Sequence, residues 1–385
     1  LLIRFVSKSK DGIGFLDSRE VLKKWGQIVE NVGEDSLDQF LRHYQLVYGK
    51  RPSSGSPLLS IRERDIFSIF EHDIQGEAKS PVANPSEKAF QILEDLIKKS
   101  QTYERLLKFE VTDPDEIQKK FDLSFRGLYS ISDSYRVALL AFLDESLALS
   151  IDELEEWIGL VESLTLRWII TGGNAQVLEN IFQSTAIDAL SLKDNRDSAV
   201  SSLKKRFSDN MQSDENIVSR LSEPIDDTAL TRFIAFKLNE YLSGQMGVLK
   251  FDPKLIHVEH IAPDAITDYW KSALSITSTE PEEIAVEYDD LTEKLGNKTL
   301  LEYKINSSLQ NKPFPDKKNG IQIGRKKAKG YKDSALQITQ DLLTFESWDR
   351  EMITKRTQWF IEMFNILWGF GKTRRIMDFS EWLKR

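Results

Sequence analysis

Over the first 250 positions the apolar residues of this chain recur at intervals of three and four rather than two, which limits that stretch to helices packed on helices. Leu37, Phe40, Leu41, Tyr44 and Val47 form one such face, closed by Gly49. Ser150 followed by Glu153 has the form of a capping box, and the face behind it runs Leu154, Trp157, Ile158, Val161 and Leu164 up to Gly172 and Gly173. Loops are expected where proline, glycine and serine crowd: Gly49 to Pro57, Ser80 to Ser86, and Asp113-Pro114-Asp115. The polar, acidic span Ser208 to Asp227 reads as a mobile connector. The expected fold class is mainly α.

Composition removes several function classes. With no cysteine there is no disulfide framework, thiolate zinc site or thiol nucleophile, and a cytoplasmic location is expected. No run reaches the roughly 18 to 20 apolar residues that span a bilayer, so no membrane partner is expected. The chain opens on Leu1 and reads as part of a longer one. Its net charge of -9 argues against a surface that coats nucleic acid throughout. The charge is unevenly spread. Between Lys304 and Lys332, nine lysines and arginines stand against Asp316 alone, a local +8 that leaves -17 elsewhere. Taken alone, such a run is most simply a solvated loop.

After Tyr241 the pattern changes. Leu255 to Ile261 is a short β-favouring run that breaks at Pro263, and Leu295 to Leu301 reads as a second strand or turn. A helix starting near Glu302 would carry Asn306, and from Thr344 a long amphipathic helix carries Trp348, Met352, Ile353, Trp359, Phe360, Met363 and Leu367. Of the four histidines, His43 sits on an amphipathic helix and His72 follows Glu71 in a polar run, and both read as structural or solvated, while His257 and His260 share one window. The spacing of that pair does not fit a zincin helix, which needs two histidines four apart with a glutamate after the first. On a strand, Glu259 and His260 point to opposite faces, so one site could use both only through a kink at the strand end.

The order Val258-Glu259-His260-Ile261-Ala262-Pro263, then Leu295-Gly296-Asn297-Lys298-Thr299-Leu300-Leu301, then Lys304 to Phe314, Tyr331 to Ser334, Trp348 and Arg356 resembles the C-terminal HNH nuclease domain of GmrSD-type restriction and phage-defence proteins. The close resemblance runs from about His257 to Trp368. Phe40 to Tyr44 and Thr231 to Leu238 are similar, more loosely, to the helical region preceding that domain. The family's N-terminal nucleotide-hydrolysing half, with its Asp-Gly-Gln-Gln/Gln-Arg signature, has no counterpart here, which implies a longer protein with that half as partner.

The resemblance implies a helical scaffold and linking region over 1–250, an HNH ββα-metal module over 251–340 and closing helices over 341–385. It implies a metal-dependent DNA endonuclease or nickase that acts on foreign or modified phage DNA, with a homo-oligomer in prospect. His260 falls at the position of the general base, a role suited to a group whose reference pKa lies near neutrality. Glu259 and Asn306 fall where the family holds one divalent ion, Mg2+ or Mn2+, and Asn297 where an amide braces the loop that orients the base. His257 is a supporting residue, with a phosphate contact or a further ligand as its alternatives, and Asn311 is a rival to Asn306. Lys312, Lys317, Lys318, Arg325, Lys326, Lys327 and Lys329 become phosphate contacts that hold DNA without reading it. Lys298 stands where the family commonly has leucine.

Two other readings stay open. The chain could be a non-catalytic helical interaction module of a larger defence complex, in which case Trp359 and Phe360 would be exposed for a partner rather than spent on a core. RNA is a lesser alternative substrate.

Overall fold

The structure, a computed structural model, describes residues 18–49, 61, 63–77, 80–110, 112–244, 251–323, 326–369 and 375–385. Helices dominate, and the strands among the described residues form three separate two-stranded antiparallel ladders. No described helix is long and apolar enough to cross a membrane. The chain divides into two compact units: residues 1–118, 132–165 and 173–211, and residues 119–131, 166–172 and 212–385. The helices after 212 and the closing helices share one unit with the hairpin region.

The first unit is helical because its apolar stripes find one another. Leu37–Tyr48 buries Phe40, Leu41, Tyr44 and Val47 and ends at Gly49, as the spacing predicts. The helix Tyr135–Phe142 is buried along its whole length and packs on Ala175–Leu190. At the start of Ile151–Ile170, Ser150 and Glu153 exchange the reciprocal bonds of a capping box. His43 is buried, its Nδ1 2.8 Å from the Tyr103 hydroxyl and its Nε2 3.7 Å from Glu179, whose two oxygens are gripped by the Arg42 guanidinium. His72 is exposed. Residues 50–57 of the expected first loop lie outside the described residues.

In the second unit the strands Ile256–His260 and Lys298–Glu302 pair antiparallel, Ile256 opposite Glu302 and His260 opposite Lys298. The helix Tyr303–Leu309 follows the second strand directly. Thr228–Ser243 packs against both strands, and the long closing helix Arg350–Trp368 packs against the turn Leu295–Asn297. One span departs from the expectation. The span Ser208 to Asp227 is not a bare connector: it contains the helix Asp214–Ser222, whose Ile217 and Leu221 are fully buried, because two apolar residues four apart suffice to dock one helical turn. Arg167 pins that region, donating to the Gln212 and Trp368 carbonyls and to Asp214. Trp359 and Phe360 are buried, so the apolar stripe of the closing helix is spent on this unit's own core.

Candidate active site

The first strand stops at His260 because Asn297 captures the chain immediately beyond it. The Ile261 N–H donates to the Asn297 carbonyl at 2.8 Å, and the Ala262 N–H donates to Asn297 Oδ1 at 2.9 Å. Asn297 Nδ2 donates in turn to the carbonyls of Ala262 and Thr292, at 2.8 and 2.9 Å, and Trp348 Nε1 donates to Oδ1 at 3.2 Å. Both amide hydrogens and both lone-pair directions are thus used by a side chain with 0% exposure. The Tyr288 hydroxyl, kept protonated by burial, donates to the Pro263 carbonyl at 2.6 Å. The turn after His260 is therefore held on three successive residues, two of them by Asn297.

The turn that presents Asn297 is fixed from the closing helix. Arg356 Nη1 donates to the carbonyls on either side of Asn297, Gly296 at 2.8 Å and Lys298 at 2.6 Å. Its guanidinium lies among the rings of Trp348, Trp359 and Phe360 at 5.0 to 5.8 Å. Burial pulls its pKa down to about 9, against the opposing pull of Asp341 and Tyr331, so it is still a cation at neutral pH. The Gly296 N–H donates to Thr357 Oγ1, and a Cβ at Gly296 would fall 2.1 Å from the Ile353 carbonyl oxygen, a contact only glycine avoids.

His260 is the histidine this frame presents. Its side chain is 23% exposed, with Nδ1 3.2 Å from Asp264 Oδ1 and Nε2 3.3 Å from Glu293 Oε1. Asp264 is 73% exposed, so solvent reaches the ring from that side. The Nε2 side is closed: that atom is buried, and its approach to Glu293 lacks hydrogen-bond alignment. Glu293 is itself anchored, since Oε2 lies 2.6 Å from the Nζ of Lys298, which is 3% exposed and also donates to the Ile225 carbonyl. Neither Asp264 nor Glu293 is distinguished in the sequence by any motif. Lys298 is the residue that could have announced the pair, because a lysine that is 3% exposed at the first position of a strand needs a carboxylate beside it.

Glu259 is not on this face, which corrects its expected place among the metal ligands. The kink falls after His260, so ordinary strand alternation stands and Glu259 points the other way. Its Oε1 takes Lys317 Nζ at 2.6 Å and the Tyr331 hydroxyl at 3.2 Å, both in the interior. Burial, reinforced by Glu259, holds the Tyr331 phenol protonated as a donor. A carboxylate already neutralised by a buried ammonium is a poor cation ligand, so the pair Glu259 and Asn306 does not fit a divalent ion here. Asn306 itself is half-buried, one turn into its helix, and Asn311 is exposed past its end. His257 packs its ring on Tyr303 at 5.0 Å, a supporting contact. Among the described residues, a cluster that has metal-ligand spacing is His260, Asp264 and Glu293, whose ligand atoms lie within 4.8 Å of one another.

The expected phosphate contacts divide. Lys312 and Lys329 are exposed, as is Lys304 beside them. Lys317, at 0% exposure, is removed from the set because its charge is spent on Glu259 and the His260 carbonyl. Lys318 is half-buried and donates to the Phe345 carbonyl. Lys326 and Lys327 lie on a short strand paired with Gln322–Ile323, and Arg325 lies outside the described residues.

Residues 207–363 match the family model of the GmrSD restriction endonucleases, C-terminal domain. That stretch contains the hairpin, the helix after it and Arg356. No curated protein matches the chain.

Proposed function

Starting from a GmrSD-type restriction endonuclease C-terminal domain in residues 207–363, we propose that this chain is an HNH-type nuclease that hydrolyses DNA phosphodiesters with His260 as general base. The observation that carries this reading is the coincidence of the family match with a solvent-reached imidazole held at a braced strand end. The resemblance implies a base at His260 and a brace at Asn297, and the contact of those two residues through the Ile261 to Ala262 turn supports that reading.

His260 removes a proton from a water molecule, and the resulting hydroxide attacks phosphorus. Asn297, Trp348 and Arg356 keep the turn from moving, so the base does not have to be ordered when substrate arrives. Lys304, Lys312 and Lys329 neutralise flanking phosphates on a chain that is acidic elsewhere. A divalent cation, Mg2+ or Mn2+, would supply positive charge at the departing oxygen. Among the described residues no lysine or arginine pairs with Asp264, which is the carboxylate beside His260 open to such an ion. No step above depends on the ion.

The substrate we infer is foreign or modified DNA in a restriction setting, with a nucleotide-hydrolysing half as the partner that selects it. The test is cleavage of supercoiled plasmid by wild type and His260→Ala. The variant is expected to retain its circular dichroism and DNA binding while losing nicking by about 100-fold or more. Cleavage by the variant at the wild-type rate refutes the assignment.

A further inference from the structure

A neutral imidazole carries one N–H and one lone pair, and the group that takes the N–H decides which nitrogen is left to act as a base. Bracing the backbone beyond His260 leaves that choice open. We propose that Glu293 makes it: this is the positioning residue that accepts the buried Nε2–H of His260 and leaves Nδ1, on the solvent side, free to take the proton of water. The inference rests on the reading of His260 as base.

Four observations converge on Glu293. Nε2 is buried without an aligned partner, and Glu293 Oε1 lies 3.3 Å from it. The distance needs only a small turn of either side chain, and such bonds are commonly loose before substrate binds. The other carboxylate oxygen is held at 2.6 Å by Lys298, which is 3% exposed, so Glu293 cannot swing away without leaving that ammonium short of its carboxylate. Lys298 stands directly opposite His260 in the ladder, so the base and the residue that anchors its partner move with one backbone rung. With an ammonium already on Oε2, the carboxylate's charge is compensated, which favours an N–H donor at Oε1 over a second cation. Asp264, on the open side, faces Nδ1 where bulk water competes for it.

The proton balance closes. Water gives a proton to Nδ1, the ring becomes an imidazolium with Nε2–H still on Glu293, and the water oxygen bonds to phosphorus. The phosphorus bond to the leaving oxygen breaks, and that oxygen takes a proton from solvent.

The experiment uses the full chain and the variants Glu293→Ala, Glu293→Gln, Glu293→Asp and Lys298→Leu, with two readouts. Long-range 1H–15N spectra of the histidine rings report the His260 tautomer without any need for cleavage. Wild type is expected to show protonated Nε2 and unprotonated Nδ1, and Glu293→Ala a mixture of tautomers. In plasmid nicking, Glu293→Ala is expected to lower kcat roughly 10- to 100-fold at unchanged KM, with Glu293→Asp recovering part of it and Lys298→Leu showing a smaller loss. The concentration of Mg2+ or Mn2+ giving half-maximal rate is expected to stay put. An unchanged tautomer in Glu293→Ala overturns the proposal, as does a loss confined to KM or to the metal half-saturation, which would make Glu293 a DNA contact or a ligand. Should wild type fail to cut while the tautomer responds to Glu293, the base reading falls and the positioning contact stands.

Discussion

At Glu259 the chemistry is decided by what the carboxylate already holds. An ion pair with a fully buried lysine is weak support for stability as a pair, yet removing one partner strands the other. Glu259→Gln is therefore expected to cost about 3 kcal/mol in urea unfolding, with most of that regained in Glu259→Leu combined with Lys317→Met. In the single variant, the metal concentration for half-maximal cleavage should not move. A shift in that concentration with stability intact would return Glu259 to the ligand set. His260, Asn297 and the alternation that sets Glu259 apart were all legible in the sequence. The choice between the two faces was not. It depended on whether the kink came before or after His260, and that is settled by Asn297 from 35 positions further on. Glu293 and Asp264 were invisible for a similar reason, since carboxylates on turns carry no periodicity and matter here only because the hairpin brings them to the ring.

Among elements, the hairpin and the closing helix form one device, joined at Gly296. The two strands, the helix carrying Asn306 and the long helix from Arg350 all follow from short-range patterns, which is why they could be read from the sequence. Their docking could not be. It depends on a glycine that lets a helix backbone approach and on one arginine reaching two carbonyls across 58 and 60 positions. Gly296→Ala is expected to push the turn off the closing helix, lowering thermal stability and cutting nicking by at least tenfold while leaving DNA affinity unchanged, because the exposed lysines lie elsewhere. Arg356→Met, which fills the ring cage without donating to either carbonyl, should reproduce the activity loss with a smaller stability change. Nicking assays beside thermal melts check both, and an active Gly296→Ala would mean that the turn does not have to be held in place.

For the whole molecule, the two units are expected to answer to different conditions. In the first, burial raises the Glu179 pKa but the hydrogen bonds from Arg42, with the His43 ring nearby, outweigh it and bring the group down to about 2 from its ordinary 4.5. A carboxylate depressed in the folded state stabilises it fully above 4.5, and that contribution is lost as the pH falls from 4.5 toward 2. Burial also lowers His43 from 6.5, so the unfolded chain takes up a proton first and stability begins to fall below that pH. The protection factors of the Leu37–Tyr48 amides, corrected for intrinsic exchange, should accordingly fall in acid, with Glu179→Gln flattening the lower part of the profile. In the second unit the governing variable is salt: DNA held by lysines on phosphates should bind with an affinity that falls steeply between 50 and 200 mM salt and with little sequence preference.

The most direct measurement is incubation of supercoiled plasmid with the chain in magnesium, manganese or chelator, beside the His260→Ala variant. Nicked or linear products are expected from the wild type in at least one metal, and intact supercoils from the variant under every condition. Supercoiled DNA left untouched by the wild type throughout, or cut equally by the variant, would contradict the nuclease reading with His260 as its base.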